Sequence, residues 1–435
     1  MRKKMVVSIK VLKEYLSFMN QVNILSYIVY ALVFVSMIIG IKRASKNQLN
    51  ENAFSLEAMT SLKGVMALFV LFHHMAQQKI FEISSNYNAE KNFATVVPFF
   101  EFIGFLFVAV FFFCSGYGLY RSLSVKENYL KGFLKKRVLP IIISYYVMIA
   151  IYAAYYLIVG NDFTLTQWIL KVTGLILINS QSWYVYVICL MYVVFYLVFR
   201  KNRDNKAGIW ILLAVALLQG LLFIVNGHFP WWLMKPSWNT ALLSPDTPWW
   251  QKPCQLLFEG EWWVDSTVAF VLGIFIAQKQ NSFIEWAKKC YWFKFAVITI
   301  LFVVINGAGI VTLWEVGYWT EFSGNLGTSN KAICYCVQQL QVIITCLFVI
   351  MLMQKVYVQN RLYNTLGKIS LEFYLMQELV LFSTYFIIKT PADMENPSIW
   401  PVAGWFVLVV AAVFASALIY HWINVFCTKK LKASK

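Results

Sequence analysis

Long apolar blocks separated by short polar segments set the pattern of this chain. Ile24 to Ile41, Ile141 to Val159, Ile209 to Val225, Val264 to Ala277 and Trp400 to Trp422 are nearly free of charge. A helix of about 17–25 apolar residues spans a bilayer. Backbone amides in lipid must be satisfied within their own segment, which selects helix. The pattern therefore predicts an all-α polytopic transmembrane bundle. Its ten-helix core runs near 62–78, 97–120, 138–159, 183–199, 208–226, 263–278, 293–313, 332–353, 369–388 and 400–424, with one extra helix at 23–41. No internal repeat or low-complexity linker interrupts the core. The chain divides into an N-terminal basic segment with the extra helix (1–60), a single transmembrane domain (61–428) and a basic tail (429–435).

Composition removes the soluble alternatives. Hydrophobic residues make up 60% of the 435 and charged residues 13%, whereas a water-soluble domain carries about 25% charged residues. A net charge of +17 raises nucleic acid as a partner, but the cations form no patch. Loops rich in Lys and Arg (Lys42 to Lys63, Arg121 to Arg137, Arg200 to Lys206, Lys279 to Lys294, Lys355 to Lys368 and the tail) alternate with poor ones around Lys79, Lys171, Lys235, Lys331 and Lys389. That is the positive-inside signature. It predicts a multi-pass protein of the plasma membrane with the Arg121–Arg137 loop and the C-terminus in the cytoplasm, the lipid bilayer as partner and no nucleic acid. Residues 5–20 mix apolar and basic positions and suit the membrane interface. The helix after them ends in Lys42 and Arg43 rather than at a small-residue cleavage site, so it is retained. Most of the eight cysteines fall in apolar blocks. Cys334 and Cys336 have no histidine or second pair at metal-ligand spacing, so buried thiols are expected, with no metal and no disulfide framework. The outer segment from Asn226 to Trp263 holds Trp231, Trp232, Trp238, Trp249, Trp250, Trp262 and Trp263. Such residues serve as interfacial anchors or as a platform for sugar rings.

Candidate chemistry starts on the first core helix, SLKGVMALFVLFHHM from Ser61 to Met75. Lys63 and His74 are separated by three turns plus roughly 20°, so they share one face about 16 Å apart, while His73 points about 80° away. Histidine inside an apolar helix is costly and by default functional. Imidazole titrates near neutrality and can take a proton from a hydroxyl and return it. Intramembrane acids stand out at Glu372 and Glu378, and Glu259, Glu261 and Asp265 lie at the outer mouth of the sixth core helix. Glu372 and Glu378 could pair with lysines of the bundle.

These residues resemble the acyltransferase-3 family of membrane acyltransferases, in the branch without an attached esterase-like domain. Lys63 and His74 match the family's basic residue, ten others, then histidine. FFFCSGYGLY, Phe111 to Tyr120, is similar to its Phe-rich turn around Ser-Gly-Tyr, here Ser115, Gly116 and Tyr117. KGFLKKRVLPIIISYY, Lys131 to Tyr146, resembles Arg-x-x-Arg followed by Ile/Leu-Pro: Arg137 and Pro140 fit, Leu134 replaces the first arginine, and Lys135 and Lys136 stand beside it. SWYVYVICLMYVVFY, Ser182 to Tyr196, is similar to the Trp-Phe-Leu-Tyr stretch. LGKISLEFYLMQ, Leu366 to Gln377, looks like Gly-x-x-Ser…Tyr-Leu-x-His, with Gln377 at the usual histidine position.

The resemblance implies transfer of an acyl group, foremost acetyl, from acyl-CoA to a hydroxyl of an envelope polysaccharide or glycolipid. His74 would be the general base, with Lys63 and His73 as catalytic neighbours. Arg137, Lys136 and Lys135 would meet the phosphates of CoA, since guanidinium matches phosphate geometry; simple positive-inside orientation explains the same cations. Ser115 and Tyr117 are further candidates on the acyl-CoA side and, with Lys63, for the oxyanion. Trp183, Tyr184 and Glu259 are the candidates for the acceptor substrate. A rival expectation is a transporter or exporter of a lipid-linked or small organic substrate. It predicts two related halves with interrupted helices, and the sequence shows no such symmetry.

Overall fold

The computed structural model describes residues 24, 27–77, 100, 103–161, 163–203, 206–226, 261–317, 328–384 and 400–433. Almost all of this is helix: α1 Tyr27–Ile38, α2 Leu56–Gln77, α3 Gly104–Val125, α4 Leu139–Ile158, α5 Leu165–Thr173, α6 Trp183–Phe199, α7 Gly208–Asn226, α8 Val268–Gln278, α9 Gln280–Lys288, α10 Tyr291–Glu315, α11 Thr328–Met353, α12 Arg361–Lys368, α13 Ser370–Thr384 and α14 Trp400–Ala433. Among the described residues, eight helices are long and apolar enough to cross a membrane. The all-α membrane architecture is therefore present. A two-stranded sheet of β1 Ile41–Arg43 and β2 Val356–Val358 is a small addition to it.

Helix boundaries follow local chemistry. Ser55 accepts from the Ala58 amide, an N-cap that starts α2 at Leu56 rather than near 62. Lys63 thus lies two turns inside the helix instead of opening it. Three segments expected as loops are short helices. α5 is set by a capping box, in which Thr164 and Gln167 each accept from the other's backbone amide. α9 and α12 are amphipathic, and α12 turns Tyr363 and Leu366 into the interior.

The chain forms two compact units. The first comprises Met1–Ile41, Thr60–Gly104 and Val358–Trp422. Here Phe72 of α2 packs its ring 5.5 Å from Phe100 and 5.4 Å from Phe406. Ser61 donates to Asn364 at 3.3 Å, which ties α2 to α12. Asn360 donates to the carbonyl of Ser36 in the last turn of α1 and to that of Ile39 just past it, which gives two acceptors at a helix end a partner.

The second unit comprises Lys42–Met59, Phe105–Tyr357 and Ile423–Lys435. α10 and α11 lie side by side through stacked rings, Phe302 on Phe348 at 4.5 Å and Phe295 on Phe348 at 5.7 Å. α3 and α8 cross at glycines. A Cβ on Gly116 would fall 2.0 Å from the Phe270 carbonyl oxygen, and one on Gly273 would fall 2.2 Å from that of Phe113. Small residues let membrane helices approach this closely, and van der Waals packing then holds them. Lys355, just beyond α11, donates to the carbonyls of Ser45 at 3.1 Å, Lys46 at 2.9 Å and Gln48. Its ammonium also lies over the Tyr291 ring at 5.2 Å. Burial pulls its pKa below the ordinary lysine value.

Candidate functional site

In the first unit, α2 and α13 bring polar side chains together inside otherwise apolar surroundings. His74 Nδ1 lies 2.6 Å from Gln377 Oε1. An amide oxygen only accepts, so Nδ1 carries the proton, and the neutral ring keeps its lone pair on Nε2. The Tyr374 ring centroid is 5.9 Å from that of His74. His73 is oriented separately: its Nδ1 donates to the Phe100 carbonyl at 2.8 Å, and its ring centre is 5.2 Å from His74. The ring has room because residue 104 is glycine; a Cβ there would sit 2.1 Å from His73 Cδ2. Lys63 is on the same helix and half-buried. A second pair lies on α13 and α14, where His421 Nδ1 is 2.8 Å from Glu372 Oε1. Glu372 thus has a histidine as a partner, where the sequence left pairing with a lysine open.

Two of these residues were not among the sequence candidates. Gln377 stands in the sequence only as a departure from a histidine pattern, yet its side chain hydrogen-bonds His74. His421 lies in the apolar stretch FASALIYHWINVF. Its signal was the one already applied to His74, an ionisable side chain in a membrane helix.

In the second unit, the segment between α3 and α4 presents a cationic turn. Lys135, Lys136 and Arg137 are exposed on a π-helical turn, Leu134–Val138. Turns of this type are frequent at functional sites. The turn is anchored rather than loose. Phe133, 1% exposed, stacks on Tyr196 at 5.9 Å, and Gly132 supplies a φ of 69° that a side chain disfavours. Pro140 stands in the first turn of α4, immediately after the π-helical turn. Arg137 lies 5.7 Å above the Tyr129 ring.

Ser115 and Tyr117 are two residues apart, hence about 200° apart on a helix, and the structure separates them. Ser115 faces the hydroxyls of Tyr184 and Tyr192 on α6, which places Ser115 beside Tyr184. Tyr117 instead donates to Gln280 Oε1 at 2.6 Å and stacks on Phe54 at 5.5 Å. Trp183 is buried, its ring 6.4 Å from Trp263. Trp263 is itself 2% exposed, so this tryptophan of the aromatic segment is part of the core. Glu259, Trp231, Trp232, Trp238, Trp249 and Trp250 lie outside the described residues, as does segment 5–20.

The sequence of residues 56–421 matches the model of a family described as an acyltransferase domain. No curated protein and no solved structure matches the chain.

Proposed function

The chain belongs to the acyltransferase-3 family, and on that premise we propose that it moves an acyl group, foremost acetyl, from acyl-CoA to a hydroxyl of an envelope polysaccharide or glycolipid. The observation that carries this reading is His74, held through Nδ1 so that Nε2 offers a lone pair inside a membrane helix. Nε2 takes the proton of the acceptor hydroxyl while that oxygen attacks the thioester carbonyl carbon. The carbonyl C–S bond then breaks, and the CoA sulfur leaves as the thiol with the proton returned from the imidazolium. An ester forms, a thioester is consumed, and no redox partner is needed. Lys63, half-buried on the same helix, stands about 16 Å along the axis from His74, beyond the reach of an oxyanion formed at that ring.

In the second unit, the exposed turn of Lys135, Lys136 and Arg137 suits the phosphates of CoA, and Ser115 and Tyr117 belong to the same acyl-CoA side of the reading. Arg137→Ala should raise the KM for acyl-CoA and leave that of the acceptor little changed. Loss of one charged hydrogen-bonding partner is worth on the order of 1.5–3 kcal/mol, or about 10–150-fold. An unchanged acyl-CoA dependence in folded protein removes Arg137 from the site.

The donor must reach the protein from the cytoplasm, so the orientation matters. The alternation of basic loops supports a cytoplasmic C-terminus in the plasma membrane. A cysteine introduced at Lys430 should resist an impermeant reagent in intact cells and react once the membrane is opened. Labelling in intact cells reverses the orientation. The activity itself is tested by release of free CoA thiol from acyl-CoA by purified protein. Release should require an added hydroxyl-bearing glycan or glycolipid. Transport of such a substrate without thiol release favours the exporter reading.

A further inference from the structure

We infer that Gln377 is a positioning residue that fixes His74 as the tautomer with its lone pair on Nε2. This rests on the reading of His74 as the base. The contact is direct, at 2.6 Å from Nδ1 to Oε1. The oxygen has no hydrogen to give, so the proton in the bond is that of Nδ1. A neutral imidazole has one N–H, and once it is committed to Gln377 the basic nitrogen is Nε2.

The surroundings favour orientation as the purpose of this glutamine. It is 0% exposed, between Leu375 and Met376 below and Val380 and Leu381 above, all buried. Its Nε2 meets no hydrogen-bond acceptor. A buried polar group left unmade costs about 1–3 kcal/mol, which leucine at the same place would avoid. What the glutamine provides in return is the oxygen on His74. His73 does not compete for that role, because its own Nδ1–H is committed to the Phe100 carbonyl. The amide is also neutral. It orients the ring without the negative charge that would hold His74 as an imidazolium, which has no lone pair to accept a proton.

The test uses the full chain, purified in lipid nanodiscs with ¹⁵N-labelled histidine. The chain has four histidines, and His74→Ala identifies the signal of His74. Wild type should show Nδ1 protonated. Gln377→Met keeps the bulk but removes the acceptor, so the signal should become a mixture of tautomers. The same variant should lose about 10²-fold in kcat with the KM for acyl-CoA nearly unchanged. The loss stays below the ~10⁴ seen when a wrong tautomer is imposed, because methionine imposes neither. Gln377→His restores a neutral acceptor and should recover kcat to within about tenfold of wild type, as expected when one interaction is replaced in kind. A proton on Nε2 in wild type overturns the inference. So does a Gln377→Met variant with wild-type kcat, or one whose activity falls while the tautomer stays the same. The tautomer is read without substrate. If it responds to Gln377→Met while His74→Ala still transfers acyl groups, the hydrogen bond stands and the assignment of the base falls.

Discussion

His74→Ala is expected to lower acyl transfer by about 10²–10⁴-fold, the range for removal of a general base. Expression and membrane insertion should be unchanged. The variant removes the hydrogen bond to Gln377, so amounts of folded protein must be matched before rates are compared. His73→Ala is the informative control. His73 is bonded to the Phe100 carbonyl and not to Gln377, so its loss should leave appreciable activity. A dead His73→Ala beside an active His74→Ala would exchange the two roles. It would also remove the argument that the base is the histidine sharing a helix face with Lys63.

Gly116→Leu is expected to destabilise the second unit by about 3 kcal/mol or more, at the upper end for overpacking. The obstacle is main chain: the Phe270 carbonyl oxygen lies 2.0 Å from where the Cβ would be. A flexible side chain could swing away, whereas a carbonyl inside α8 cannot move without breaking its helix. Gly118→Leu, two residues on, has nothing within 4 Å of its added Cβ and lies exposed. It should keep the wild-type thermal midpoint. A folded Gly116→Leu with an unshifted midpoint would show that α3 and α8 do not cross this closely. The expected result gives the glycine of the Ser-Gly-Tyr stretch a packing role, separate from any chemistry of its neighbours.

Apolar block length carried most of the architecture. Eight of the expected helices are long and apolar enough to cross a membrane among the described residues, whereas α1, α8 and α13 are shorter than the blocks predicted; lipid allows a long apolar block little but helix. The short amphipathic helices were less legible. α9 and α12 carry basic residues, which read as loop, and their burial depends on neighbours distant in sequence. α5 could have been found, since its capping box is written in Thr164 and Gln167. The first turns of α2 were shifted for a similar reason: Ser55 is a capping residue placed before the apolar run begins.

At the candidate site, the sequence singled out His74 and Lys63 by their helical spacing and by the family motif that they resemble. It did not reveal Gln377 as a partner, because the two positions are 303 residues apart and no local pattern links them. Ser115 and Tyr117 show the opposite case. They are adjacent in a motif, yet a helix turns them to different neighbours, Tyr184 and Tyr192 for one and Gln280 for the other. Glu372 was open to pairing with a lysine of the bundle, and His421, 49 residues further along, is a partner that no local pattern points to.

The central claim is transfer from a thioester to a hydroxyl, and the most direct measurement follows the acyl group itself. Membranes containing the protein are supplied with acetyl-CoA labelled in the acetyl group, and the glycan and glycolipid fraction is analysed by mass spectrometry before and after mild alkali. The account predicts labelled acetyl esters that alkali removes, present with the wild-type chain and absent with His74→Ala at equal protein level. Equal labelling in the two samples, or none in either while acetyl-CoA and glycans are both present, would contradict it.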